Sequence, residues 1–92
     1  KQFQVYPNYP NPFNSLTTLE YDLEKISDVT IKIFDLLGRE IYTKQIGNQA
    51  PGKYRFVWNG IDKNSREVHS GIYFVVVQRS GDRQIQKITL LK

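Results

Sequence analysis

Val29-Thr30-Ile31-Lys32-Ile33-Phe34-Asp35-Leu36-Leu37-Gly38-Arg39-Glu40 is the stretch that decides the fold. Successive side chains of a strand point to opposite faces, so Val29, Ile31 and Ile33 share one side and Thr30 and Lys32 the other. β-Branched residues in that alternation predict a half-buried strand. The alternation stops at Asp35-Leu36-Leu37-Gly38, where the glycine supplies the positive φ of a hairpin longer than two residues. A weaker strand returns over Glu40 to Gln45.

Outward from this hairpin the same period recurs. Leu19, Tyr21 and Leu23 share a face against Glu20 and Asp22, and Tyr54, Phe56 and Trp58 share one against Arg55. Ile72 to Val77 is apolar without alternation, which predicts a strand covered on both faces. Ile85 to Leu91 closes the chain as another strand, and a short one is expected near Glu67-Val68. Ser80-Gly81-Asp82-Arg83 puts glycine first in a two-residue loop and so predicts a type II′ hairpin, while Pro51-Gly52 predicts the centre of a type II turn. Strand centres recur about every 8–14 residues, the rhythm of a sandwich or barrel. No window keeps an apolar i, i+3, i+4, i+7 pattern for three turns. The expected fold class is all-β: a seven-stranded antiparallel immunoglobulin-like sandwich without a disulfide.

Composition bounds the rest. With 92 residues there is room for one core, and 39% hydrophobic residues are enough to build it. No cysteine is present, so disulfides and zinc-thiolate sites are excluded. The longest apolar run, Ile72 to Val77, is far short of the roughly 18 residues of a membrane-spanning helix, so no transmembrane segment is expected. Lys1 to Tyr6 lacks a basic stretch followed by an apolar one, so any export signal is expected upstream. The net charge of +4 is concentrated after Ile46, with eight basic and three acidic residues there. That bias suits an acidic partner, but without a dense cluster it does not point to nucleic acid.

Residues 1–14 hold three of the four prolines, in Tyr6-Pro7-Asn8-Tyr9-Pro10-Asn11-Pro12-Phe13-Asn14. Proline fixes φ and removes a donor, so this Pro/Asn-rich segment reads as an ordered opening loop that Phe13 pins to the domain, with the sandwich itself in residues 15–92.

The residues that carry chemistry are few. His69 is the single histidine, and Ser70 beside it would point the other way in strand geometry, so no nucleophilic triad forms. The carboxylates are scattered over solvent faces, and a sandwich of this size has little room for a cleft between two acids. No enzyme activity and no cofactor are expected. Asp62 and Asn64 resemble the start of a calcium loop, but the glycine and terminal glutamate of an EF-hand are missing, and the same residues recruit tight turns. Trp58, Phe56 and Tyr54 are expected in the core, leaving Tyr6, Tyr9, Phe34 and Tyr42 as candidates for exposed contacts.

Asn8-Tyr9-Pro10-Asn11-Pro12-Phe13-Asn14, Thr17-Thr18-Leu19-Glu20-Tyr21 and Val29 to Glu40 follow one another in an order that resembles a known family. Pro51-Gly52-Lys53-Tyr54, Trp58-Asn59-Gly60, Ser70-Gly71-Ile72-Tyr73-Phe74 and the ending Gln86-Lys87-Ile88-Thr89-Leu90-Leu91-Lys92 continue the likeness. From about Tyr6 to Lys92 the chain resembles the C-terminal sorting domains (type A) of the type IX (Por) secretion system, which are related to the immunoglobulin-like domain of the flagellar hook-capping protein. It departs from them at Ser15-Leu16 and in the less acidic loop Ile61-Asp62-Lys63-Asn64. The resemblance implies an immunoglobulin-like address label at the tail of proteins exported by Bacteroidetes. Its partners would be an N-terminal passenger in the parent chain and the translocon and sortase proteins of the outer membrane. Its location would be the periplasm in transit, then the cell surface or the medium. Partner recognition would fall on Lys87, Ile88, Leu90, Leu91 and Lys92, with strand addition along Ile85 to Leu91 as its physical form. The alternative is a carbohydrate-binding or structural accessory module of a secreted enzyme.

Overall fold

Period-two alternation becomes seven strands in a computed structural model that describes residues 3–92. They are β1 (Gln4–Val5), β2 (Thr17–Leu23), β3 (Ser27–Asp35), β4 (Glu40–Gln49), β5 (Gly52–Trp58), β6 (Gly71–Arg79) and β7 (Asp82–Leu90). One sheet runs β1-β2-β5 and the other β4-β3-β6-β7, with every neighbouring pair antiparallel. The two sheets close as an immunoglobulin-like sandwich.

The inward residues are the ones the alternation selects. Leu19, Tyr21 and Leu23 of β2 and Phe56 and Trp58 of β5 meet Val29, Ile31 and Ile33 of β3, Tyr73, Val75 and Val77 of β6, and Ile88 and Leu90 of β7. Burying a large apolar side chain stabilises by about 1.5–3 kcal/mol, so this layer dominates the energetics. Aromatic rings cluster within it, with Trp58 set 5.8 Å from Phe13 and 5.4 Å from Tyr73 between ring centroids. The indole N–H of Trp58 donates to the Ile61 carbonyl at 2.9 Å, so the buried ring leaves no polar atom unpaired.

Several expectations are corrected. The β6–β7 loop is Ser80-Gly81, one position earlier than read, because Arg79 pairs with Asp82. Both loop residues have positive φ, 36° and 81°, which makes the turn type I′ and not type II′. Pro51-Gly52 carries the chain from one sheet to the other, and Gly52 at φ 155° lacks the roughly +80° of a type II turn. The strand expected near Glu67-Val68 is a lone bridge between Ile61 and Glu67. The seventh strand is instead β1, which precedes the prolines. Finally, β6 faces the opposite sheet on one side only, although Val76 on its outer side is buried along with Val75 and Val77.

One charge is drawn inside. Arg79 is 7% exposed, and its guanidinium grips the Glu24 carboxylate at 2.5 and 2.8 Å and lies 4.6 Å from the centre of the Phe3 ring. The paired hydrogen bonds from Arg79 pull the Glu24 carboxyl down to about 2.

Candidate functional site

Strand β7 and the two residues after it carry the sequence-predicted recognition set, and the alternation of the strand splits that set. Ile88 and Leu90 point inward and are fully buried, whereas Lys87 projects from the outer face into solvent. Leu91 is 54% exposed and Lys92 is exposed. Lys92 is nevertheless tied down, its backbone N–H donating to Ser70 Oγ at 2.9 Å and its ammonium lying 3.2 Å from Glu67. A partner can meet Lys87, Leu91 and Lys92, while Ile88 and Leu90 anchor the strand that presents them.

β7 is an edge strand, as strand addition requires, but its C-terminal half is already occupied. In an antiparallel ladder alternate residues bond to the neighbour and the others face outward. The outward groups here meet the opening segment. Asn11 Oδ1 accepts from the Thr89 N–H at 3.0 Å, and Asn11 Nδ2 donates to the Lys87 carbonyl at 3.4 Å. The Phe13 N–H donates to Thr89 O, the Leu91 N–H donates to Phe13 O, both at 2.9 Å, and Asn14 Nδ2 donates to Leu91 O at 3.2 Å. A covering loop is a common protection for an exposed edge. Any partner strand pairing over Lys87 to Leu91 must first displace Asn11 to Phe13.

The opening segment is held from below as well. Phe13 is 2% exposed, and Phe3 and Val5 join the core. Nearer the start of β7, Gln84 Nε2 donates to Phe3 O and Gln84 Oε1 accepts from the Val5 N–H, each at 2.8 Å. Asn8 Nδ2 donates to Thr17 Oγ1 and Thr17 Oγ1 donates to Pro10 O, both at 2.8 Å, which fixes the loop between the prolines. Sequence reasoning placed Phe13 as the pin but missed Asn11 and Gln84.

The other candidates are spoken for. The His69 carbonyl accepts from the Tyr73 hydroxyl at 2.6 Å, and Ser70 Oγ is engaged by the Lys92 amide. Asp62 Oδ1 accepts from the amides of Asn64 and Arg66 at 2.8 and 3.0 Å. Asp35 Oδ1 does the same for Leu37 and Arg39 at 3.0 and 2.9 Å. The two five-residue turns are twins, each with a positive-φ residue fourth, Gly38 at 86° and Ser65 at 63°. Hydrogen bonds from these amides hold both carboxyls below their usual range. Among the described residues no group of three His, Asp or Glu side chains converges to hold a metal ion. Of the aromatic candidates, Tyr9 is 49% exposed and donates to Glu20, Tyr6 donates to Asp22 with Lys53 over its ring, Tyr42 packs on Phe56, and Phe34 is half-buried. Tyr6 and Tyr9 lie over the outward Glu20 and Asp22 of β2, apart from Tyr42, which packs toward the core, and from Phe34 on the other sheet.

Known proteins place this geometry among its relatives. The family model for the FlgD Ig-like domain matches residues 14–82, leaving the opening segment and most of β7 outside the match. The basal-body rod modification protein FlgD of Buchnera aphidicola subsp. Acyrthosiphon pisum is 39% identical over 54 residues, which is 59% of this chain and 23% of that protein. The chain therefore spans less than a quarter of that curated relative. Two solved structures from Porphyromonas gingivalis share the fold across nearly all of it. Dimeric latent PorU superposes with a TM-score of 0.73 at 16% identity, over 99% of this chain and 10% of its own. PorZ, an essential surface component of the type-IX secretion system, does so with a TM-score of 0.65 at 23% identity, over 98% and 11%.

Proposed function

The chain belongs to the family of FlgD Ig-like domains, and on that premise we propose that it is a sorting domain that directs a passenger protein across the outer membrane by the type IX secretion system. One observation carries this reading. The two motifs at opposite ends of the sorting-domain resemblance, Asn8 to Asn14 and Gln86 to Lys92, are hydrogen-bonded to each other through Asn11, Phe13 and Asn14. They make one structural unit, and it lies largely outside the part matched by the FlgD family. The fold shared with PorU and PorZ across nearly the whole chain supports it.

On this reading the translocon and sortase meet a finished sandwich. Ile88 and Leu90 hold the last strand in the core, and Lys87, Leu91 and Lys92 are the exposed members of the recognition set. The passenger leaves from the opening segment, so it is tethered beside the closing strand. The domain would be found in the periplasm in transit, then at the surface or in the medium. A reporter carrying the domain at its C-terminus in a type IX-competent cell tests this: the reporter should reach the surface or medium, and retention in the periplasm would refute the proposal. The identity with Buchnera FlgD favours a second reading, an assembly module, and that reading expects retention.

A further inference from the structure

Cross-strand register arranges the outer face of the four-stranded sheet into rows. One row runs Glu40, Phe34, Phe74, Lys87 from β4 to β7, the next Thr43, Lys32, Val76, Ile85, and the third Gln45, Thr30, Gln78, Arg83. Ile72 stands above the first row beside Thr89. An antiparallel sandwich exposes its outer face to water and ordinarily makes it polar. Here Phe34, Phe74, Ile72, Val76 and Ile85 form one contiguous apolar field centred on β6. Val76 at its centre is buried among its neighbours, Phe34, Ile72 and Phe74 are half-buried, and Ile85 is 54% exposed. This is the apolar excess that made Ile72 to Val77 read as a strand buried on both sides.

The charges around the field have one sign on the β7 side. Lys87 and Arg83 flank Ile85 along β7, and both are exposed without a salt bridge among the described residues. Lys32 borders the field on β3 and pairs with Glu40 at 3.7 Å, the one carboxylate in these three rows. Apolar residues bordered along one edge by unpaired cations are complementary to apolar anchors bordered by carboxylates.

We infer that this outer face docks a protein partner that presents apolar side chains bordered by Asp or Glu. The inference rests on the sorting reading, since the partner would belong to the export machinery, and it moves recognition from the sealed edge of β7 to the sheet face that Lys87 shares. Ile85 and Phe74 supply the apolar contact, and Lys87 and Arg83 set orientation and rate of encounter.

The reporter fusion with the whole 92-residue domain separates the two claims. Export by the unmodified domain establishes sorting. In that background Ile85→Asp, and independently the pair Arg83→Glu with Lys87→Glu, should each reduce export at least about tenfold while the purified variants melt near the parent temperature. The charge-reversed pair removes no buried contact, so it keeps the test intact if Ile85→Asp unfolds. Variants that fold and export normally overturn the docking face and leave sorting standing. Failure of the unmodified domain refutes sorting and this inference with it. Two further results also overturn it: cosedimentation with phosphatidylglycerol vesicles that Ile85→Asp abolishes makes a membrane the occupant, and a light-scattering dimer that Ile85→Asp dissociates makes it a second copy.

Discussion

At the scale of single residues, backbone conformation and one ion pair set the local stability. In the twin turns Asp35–Arg39 and Asp62–Arg66 the fourth residue must adopt positive φ, which side chains other than glycine resist by about 1–2 kcal/mol. A Cβ on Gly38 would meet nothing within 4 Å, so Gly38→Ala is a pure backbone effect and should destabilise by about 1 kcal/mol. Ser65→Gly relieves the same strain in the sister turn and should stabilise by less, because glycine also loses more entropy on folding. Urea midpoints of the two variants should therefore move in opposite directions. The Glu24–Arg79 pair adds a pH dependence whose sign is fixed. The folded carboxyl sits at about 2 and an ordinary one near 4.5, so the pair's contribution is complete above pH 4.5 and is lost as pH falls toward 2. Glu24→Gln should lower the melting temperature at pH 7 and flatten its fall between pH 4.5 and 2, as a series of thermal melts would record.

Elements were legible where a local period writes them. β2, β3 and β5 follow from side chains two apart and β6 from an unbroken apolar run, and apart from the outward Val76 their buried apolar residues are the inward ones. The β6–β7 hairpin shows the limit of that signal. Moving its loop from Gly81-Asp82 to Ser80-Gly81 shifts the pairing by two residues, which leaves every side chain on its original face, so alternation cannot distinguish the two registers. The turn settles it, and since Asn-Gly is the preferred type I′ pair, Ser80→Asn should stabilise by about 0.5 kcal/mol, or roughly 2–4 °C in melting temperature. β1 escaped because two residues carry no period. The clasp escaped because Asn11 meets Lys87 and Thr89 across 76 and 78 positions of sequence, where no local pattern reaches. The recognition set, by contrast, divides by local alternation alone, which buries Ile88 and Leu90 and leaves Lys87 outward. Hydrogen exchange gives the clasp a direct test. The Thr89 and Leu91 amides sit on a sheet edge yet should exchange slowly, and Asn11→Ala should speed exchange at Thr89 far more than at Ile88.

For the whole molecule, the opening segment belongs to the fold's closure and not merely to its approach. Phe3, Val5 and Phe13 lie in the core, Phe3 covers the Arg79 guanidinium, and Asn11 and Phe13 seal β7. Three buried apolar side chains at about 1.5–3 kcal/mol each are comparable to the entire stability of a domain this size, roughly 5–14 kcal/mol. A chain of residues 15–92 should therefore show no cooperative thermal transition by circular dichroism and poor amide dispersion by NMR. A peptide of residues 1–14 added in trans should restore both, because the lost contacts are noncovalent and the cleft that receives Phe13 is formed by Trp58 and its neighbours. Cooperative folding of the shortened chain by itself would make the segment an appendage. Restoration by the peptide would mean that the strand at one end of the domain is completed by the segment at the other, so a pull applied to the opening segment loads the same hydrogen bonds that guard β7.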